Sequence, residues 1–318
     1  MPHAVKPKIA ISACLMGAEV RYNGGHKASQ LCSRTLTDYF DFVPVCPEVA
    51  IGLGIPREPI RLVGDPEHPE AVGSVNPELN VTRPLAEYGQ KMAAELGDIS
   101  GYIFMQKSPS CGLDRVKVYH ANGAPVDGGG RGIYAQAFCA RHPDLPVEED
   151  GRLNDPVLRD NFLTRVFAYS AWQQLLREGL TRRGLTDFHS RYKYLLMAHN
   201  PVQYKTLGNL LGNMGQTDPN ELGPRYFSEL MAALKKCATR RTHTNVLQHI
   251  SGYLKQAISP EDKQEMQHVI GQYRHGIVPL VVPLTLLKHF FRQHPDPYIA
   301  QQVYLQPHPE NLSLRNAI

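Results

Sequence analysis

Lys107-Ser108-Pro109-Ser110-Cys111-Gly112 is the stretch around which the rest of the chain is organised. It follows Tyr102-Ile103-Phe104-Met105, a short apolar run of the kind that forms a buried strand. Soon after that run come a basic residue, two hydroxyls and a thiol, closed by a glycine. Two earlier stretches share the layout. Ile9-Ala10-Ile11-Ser12-Ala13-Cys14 is β-rich and ends in a hydroxyl and a thiol. Phe42-Val43-Pro44-Val45-Cys46-Pro47-Glu48 ends in a thiol and a carboxylate. In an open α/β sheet, ligands bind outside the carboxyl ends of the strands. Three thiols far apart in sequence can then meet along one edge.

Outward from these runs, the first half alternates strand-like and helix-like segments. Met16 to His26 is a loop rich in turn formers, and its Asn23-Gly24-Gly25 can bring backbone N–H groups to an anion or a base edge. The same residues also suit an ordinary tight turn. A helix is expected around Leu31 to Phe40, containing Cys32. Ile51 to Val63 reads as an irregular loop and a short strand; its Arg57 and Arg61 suit phosphate or carboxylate clamps, or surface ion pairs. Leu85, Tyr88, Met92 and Leu96 have helical spacing, and Val116 to Tyr119 reads as a strand. Gly128 to Ile133 is glycine-rich but lacks the P-loop and GxGxxG patterns, so it reads as a loop. A helix starts at Ile133, with Cys139 packed in it as a small hydrophobe. The acidic, proline-bearing segment from His142 to Gly151 suits a domain boundary.

Beyond it the texture is helical. Phe162, Val166, Tyr169, Trp172 and Leu176 recur at three or four residues before Gly179. Phe188, Tyr192, Leu195 and Leu196 form a second stripe, with Thr186 as its expected cap. Val246, Ile250, Tyr253 and Leu254 form a third, and Ser259-Pro260 opens a fourth. Helical spacing explains these aromatics as core without any stacking role. The expected fold class is therefore α/β: a Rossmann-like open sheet over residues 1–150, followed by an all-α C-terminal domain over 151–318.

The chain has 318 residues, 42% hydrophobic and 20% charged, ordinary values for a globular protein with a sizeable core. The start, Met1 to Lys8, lacks the long apolar stretch of a signal peptide. Ile277 to Phe291 is too short and proline-broken to span a bilayer, so no membrane partner and a cytoplasmic location are expected. The six cysteines then read as reduced thiols or metal ligands rather than disulfides, and no CxxC pair is present. Charge is split unevenly. Residues 1–150 hold 14 Lys and Arg against 18 Asp and Glu; residues 151–318 hold 20 against 12. The basic residues of the second half gather at Arg182 and Arg183, and at Lys235, Lys236, Arg240 and Arg241. With hydroxyl and amide neighbours they suit phosphate contacts, and so a nucleic-acid partner. A solvated helix face is the plain alternative.

Three strand-end thiols can be read in three ways. They suit a Cys₃ zinc site with an open position, one nucleophilic thiol with a base supplied by the fold, or three ligands of an iron–sulfur cluster. Three buried structural cysteines would look the same in sequence.

Residues up to about 150 resemble the thiouracil desulfidase family. The resemblance rests on Ser12-Ala13-Cys14-Leu15-Met16-Gly17, Arg21-Tyr22-Asn23-Gly24-Gly25, Cys46-Pro47-Glu48-Val49, Gly54-Ile55-Pro56-Arg57 and Lys107 to Gly112, in that order. The helical half resembles the domain of unknown function numbered 1722. The pairing of the two resembles desulfidases that act on 4-thiouridine in transfer RNA (tRNA). That resemblance implies a [4Fe–4S] cluster held by Cys14, Cys46 and Cys111. It implies a catalytic carboxylate at Glu48 and one catalytic serine of the Ser108-Pro109-Ser110 stretch, Ser108 being favoured and Ser110 the alternative. Asn23, Arg57 and Ser110 would bind substrate, and uridine would be left without net electron transfer. Arg182, Arg183, Lys235, Lys236, Arg240 and Arg241 would contact the RNA. A non-catalytic RNA-binding protein with a structural metal is the alternative from another class.

Overall fold

The structure is a computed structural model that describes residues 6–120, 122–312 and 314–318. Met1 to Val5, most of the start that argued against a signal peptide, lie outside the described residues. The chain folds as two compact units, one ending at Asn154 and the other running Asp155–Ile318.

The first unit carries β1 (Lys8–Ser12), β2 (Asp41–Val45), β3 (Ile60–Gly64), β4 (Pro69–Gly73), β5 (Gly101–Phe104), β6 (Val118–Tyr119) and β7 (Val147–Glu149). Its helices are α1 (Pro47–Ala50), α2 (Thr82–Glu95) and α3 (Ile133–Arg141). Four strands form a wholly parallel sheet in the order β2-β1-β5-β7. Ile9, Ala10 and Ile11 of β1, and Tyr102, Ile103 and Phe104 of β5, are fully buried. Such continuous apolar runs belong to parallel strands covered on both faces. The chain leaves β1 for β2 on one side and then crosses back to β5 on the other. Strand order therefore reverses between β1 and β5, where an open sheet opens its ligand crevice. A smaller sheet, β4-β3-β6, is mixed: β3 runs antiparallel to β4 and parallel to β6.

The helix expected around Leu31 to Phe40 is irregular, a π-turn over Leu31–Thr35 followed by a 3₁₀ turn over Leu36–Asp38. Cys32 is buried in it. The acidic segment lies just before the boundary between the units and is partly ordered as a strand: Val147–Glu149 forms β7, the edge strand beside β5.

The second unit is helical: α4 (Pro156–Glu178), α5 (Arg182–His199), α6 (Pro201–Gly212), α7 (Pro219–Leu234), α8 (Arg240–Ser251), α9 (Pro260–Arg274), α10 (Val281–Gln293) and α11 (Pro297–Ala300). The expected stripes supply most of its core, where Trp172 stacks on Phe227 with ring centroids 4.8 Å apart and Phe188 on Tyr192 at 4.3 Å; Leu176 and Tyr253, expected with them, are exposed. Ser259 caps α9 as expected. Thr186 does not cap α5. That helix starts earlier, because Thr181 accepts the Gly184 N–H, while Thr186 bonds back to the Arg182 carbonyl inside the helix. No helix among the described residues is long and apolar enough to cross a membrane.

Candidate active site

The parallel strands deliver their C-terminal residues to one edge. Ser12 ends β1, and Cys14 follows in a 3₁₀ turn over Ala13–Met16. Gly17, at φ 94°, closes that turn in the left-handed region, which suits glycine. Cys46 follows β2 directly and precedes Pro47, the first residue of α1. Cys111 comes after β5, in a loop docked on the start of α3. The first N–H groups of a helix have no partner within it; here Ile133 and Ala135 donate theirs to the Pro109 and Ser110 carbonyls. Cys14, Cys46 and Cys111 line one cavity of about 390 Å³, together with Glu48, Arg57 and Ser108.

Burial dominates the thiols. It pushes Cys14 up to about 11, raises Cys46, and holds Cys111 well above the usual thiol range despite a hydrogen bond with the Ser12 side chain. Bare thiols here are protonated at neutral pH and weak as nucleophiles. Among the described residues no histidine lines the cavity to activate one. A bound metal changes that balance, since a coordinating thiol loses its proton outright.

Glu48 enters the cavity held on both oxygens. Arg57 donates to Oε2 from Nε at 2.9 Å and from Nη2 at 2.7 Å. The Ser110 hydroxyl donates to Oε1 at 2.8 Å. The rest of the guanidinium is also committed: Nη1 donates to the Gly54 carbonyl and Nη2 to that of Val20. With side-chain exposures of 6% and 16%, Arg57 and Glu48 form a nearly buried pair of fixed geometry. Ser108 plays a different part from Ser110. Its Oγ accepts the Ser110 and Cys111 N–H groups, which shapes the cysteine loop, and its own proton remains available at the cavity wall.

Comparison with known proteins fits this geometry. Residues 9–150 match the family model described as 2-thiouracil desulfurase, and residues 193–309 match a protein of unknown function, DUF1722. An uncharacterized protein of Escherichia coli K12, YbgA, is 34% identical over 159 residues, which is 50% of this chain and 94% of that protein. YbbK of Bacillus subtilis 168, also named uncharacterized, is 34% identical over 153 residues, 46% of this chain and 98% of its own. The chain belongs to the 2-thiouracil desulfurase family. A solved structure described as the [4Fe-4S]-dependent thiouracil desulfidase TudS shares 30% identity, covering 47% of this chain and 94% of that one with a TM-score of 0.36.

For a 2-thiouracil desulfurase family member, the donor chemistry can be tested on the cavity itself. Among the described residues no three His, Cys, Asp or Glu side chains converge as ligands of a single metal ion. Three thiols that line one cavity are the donor type an iron–sulfur cluster takes, one thiolate to an iron. Arg21 and Lys27 also line the cavity and supply positive charge beside them. The residues thus fit the iron–sulfur cluster that the resemblance implies.

The structure brings Cys14, Cys46, Cys111, Glu48, Arg57, Ser108 and Ser110 together. It does not bring Asn23, whose exposed side chain accepts the Gly25 N–H in a local turn outside the cavity lining. Arg57 clamps a carboxylate as expected, but that of Glu48, in a nearly buried ion pair. Two groups escaped the sequence reading. Ser12 bonds the Cys111 thiol and accepts the Met105 N–H at 2.9 Å. Asp150, just past β7, accepts the Gln106 N–H at 3.0 Å, and burial raises its carboxyl.

In the second unit, Arg182 donates to the Gly215 and Thr217 carbonyls. Arg240 donates to the Tyr273 carbonyl at 3.1 Å and lies over its ring. Both guanidinium groups thus spend donors on the fold, although both residues are exposed. Arg183 pairs loosely with Asp187. Lys235, Lys236 and Arg241 are exposed and make no ion pair among the described residues.

Gly132 sets how closely the cysteine loop sits on α3. A Cβ there would lie 2.6 Å from the Ser110 carbonyl and 2.8 Å from the Cys111 nitrogen, both backbone. Gly132→Ala should therefore cost about 1–3 kcal/mol, the usual range for overpacking. A thermal melt reads this directly, and an unchanged midpoint would show that the loop yields freely.

Proposed function

We propose that the protein converts 4-thiouridine in tRNA to uridine, with related thiouracil derivatives as further substrates. The reaction is hydrolytic: a thiocarbonyl and water give a carbonyl and hydrogen sulfide, with no oxidant or reductant. The observation that carries this reading is the single cavity in which two buried thiols, Cys14 and Cys111, and the half-buried Cys46 face a carboxylate fixed by Arg57 and Ser110. Cys14, Cys46 and Cys111 would hold a [4Fe–4S] cluster. Held by three thiolates, such a cluster leaves one iron open as a Lewis acid for a soft sulfur atom. Glu48 takes the proton of the attacking water, since Oε1 accepts only one hydrogen bond and keeps a lone pair. Ser108 turns its free proton toward the base edge and orients the ring. Arg57 positions the carboxylate.

Anaerobic incubation with 4-thiouridine-containing tRNA, followed by nucleoside analysis, tests the reaction. Loss of 4-thiouridine with matching uridine supports it; intact 4-thiouridine in the presence of cluster-loaded protein refutes it. Purified anaerobically, the protein should be brown with equal iron and sulfide, and zinc alone would remove the cofactor.

For the RNA, the excess positive charge of residues 151–318 is the support. Neutralising Lys235, Lys236 and Arg241 together should weaken tRNA binding and flatten its salt dependence, because phosphate contacts dominate both. Arg240 is left in place, since its loss would disturb α8 and α9. Unchanged binding across several salt concentrations would place the interface elsewhere.

A further inference from the structure

The acidic first unit contains a cationic groove. About 600 Å³ in volume, it runs alongside β3 and β6 and is lined by Arg61, Lys107, Arg115, Lys117 and Tyr119, with no acidic side chain in its walls. It shares Ile60, Lys107 and Pro109 with the thiol cavity, so the two lie side by side. This is the opposite of what the unit's surplus of acidic residues would give by chance.

Two further observations point to a ligand. Lys107 at φ 59° and Arg115 at φ 52° are the non-glycine residues of positive φ among the described residues, and both line this groove. Long side chains are costly in the left-handed region, and such strain persists where function holds it. In addition, Arg61 lies over the Tyr119 ring at 5.9 Å, and its Nε is buried without a hydrogen-bond partner. Arg115 has one neighbouring carboxylate, that of Asp114 at 3.7 Å, on exposed side chains where such a pair contributes little. A track of cations with an aromatic ring, beside the cavity that would take the thiolated base, matches the chemistry of a single strand: phosphates along the groove, bases against the ring.

We propose that this groove carries the RNA strand flanking the nucleotide in the thiol cavity, an assignment that rests on the RNA substrate proposed above. The second unit's basic patch then adds affinity, while the groove aligns the strand with the chemistry.

The test uses the full-length protein with Arg115→Gly and Lys117→Gln combined. Glycine keeps the left-handed backbone at position 115 without strain. Neither residue lines the thiol cavity. Binding of a labelled single-stranded RNA oligonucleotide without thiolated bases is measured at several salt concentrations. Each single-strand phosphate contact contributes about 0.7 to the slope of log affinity against log salt, so the double variant should lose about 1.4. Its kcat/KM should fall for thiouridine-containing RNA and stay unchanged for the free nucleoside. An unchanged slope overturns the groove, as does an equal loss on the free nucleoside. The expected slope change in a protein that desulfurates nothing would keep the groove and refute the desulfidase reading instead.

Discussion

Replacing Cys14, Cys46 or Cys111 by alanine, one at a time, should abolish the iron–sulfur absorbance and all desulfuration. Cys32→Ala and Cys237→Ala should retain both. A [4Fe–4S] cluster is normally held by four thiolates. The cavity offers three, so the protein would already work one ligand short, and two should not hold the cluster through purification. Cys32 does not line the cavity, being buried in the π-turn after β1, and Cys237 belongs to the other unit. The measurement is iron and sulfide content after anaerobic purification, alongside the visible spectrum. Circular dichroism of the same samples separates loss of the cluster from loss of the fold. If Cys32→Ala bleaches the protein while Cys14→Ala does not, the ligand set is wrong.

What could be read in the sequence follows from which signals are local. Ile9 to Ile11 and Tyr102 to Phe104 are apolar without interruption, and a strand buried on both faces has no other pattern to show. Their thiols follow the strand ends, so the parallel order brings them to one edge, and the docking of the Cys111 loop on α3 completes the placement. β7 hides this logic. Its Glu148 and Glu149 are buried, but each carboxylate has a partner: Glu148 accepts from Arg152 Nε, and Glu149 from the Leu113 N–H. Paired acids at a sheet edge read as a polar linker in sequence, and Asp150 was hidden with them. Arg57 illustrates the same limit. It lies nine residues from Glu48, across a turn whose path only the fold defines.

The basic half shows what composition can and cannot say. Counting lysine and arginine measures charge correctly, but not where each donor goes. Arg182 and Arg240 each reach a backbone carbonyl more than thirty residues away, and nothing in their immediate sequence distinguishes them from the exposed Lys235 or Arg241. Asn23 errs in the other direction. Asn-Gly-Gly carries its own turn chemistry, so the motif satisfies itself locally and owes nothing to the cavity. The left-handed Lys107 and Arg115 were invisible for a related reason: φ is set by tertiary packing, and only glycine advertises it in sequence.

Glu48→Gln should keep the cluster and the RNA while lowering kcat by about 10²–10⁴-fold, the usual contribution of a positioned general base. The amide suits the site sterically. Arg57 offers donors only, so the carbonyl oxygen of glutamine will face it and keep both hydrogen bonds. The amide nitrogen then faces Ser110, whose hydroxyl can turn to accept. What is lost is the ability to take a proton from water. Glu48→Ala would be a poorer test, because it strands the Arg57 guanidinium beside the cavity, and breaking such a pair costs about 3–5 kcal/mol when buried. Arg57→Ala fails for the mirror reason and would leave Glu48 free to move. The readout is therefore kcat for desulfuration at unchanged iron content and unchanged tRNA affinity. A rate like the native one in Glu48→Gln would remove the carboxylate from the chemistry and leave the ordering of the water to other polar groups of the wall, Ser108 among them.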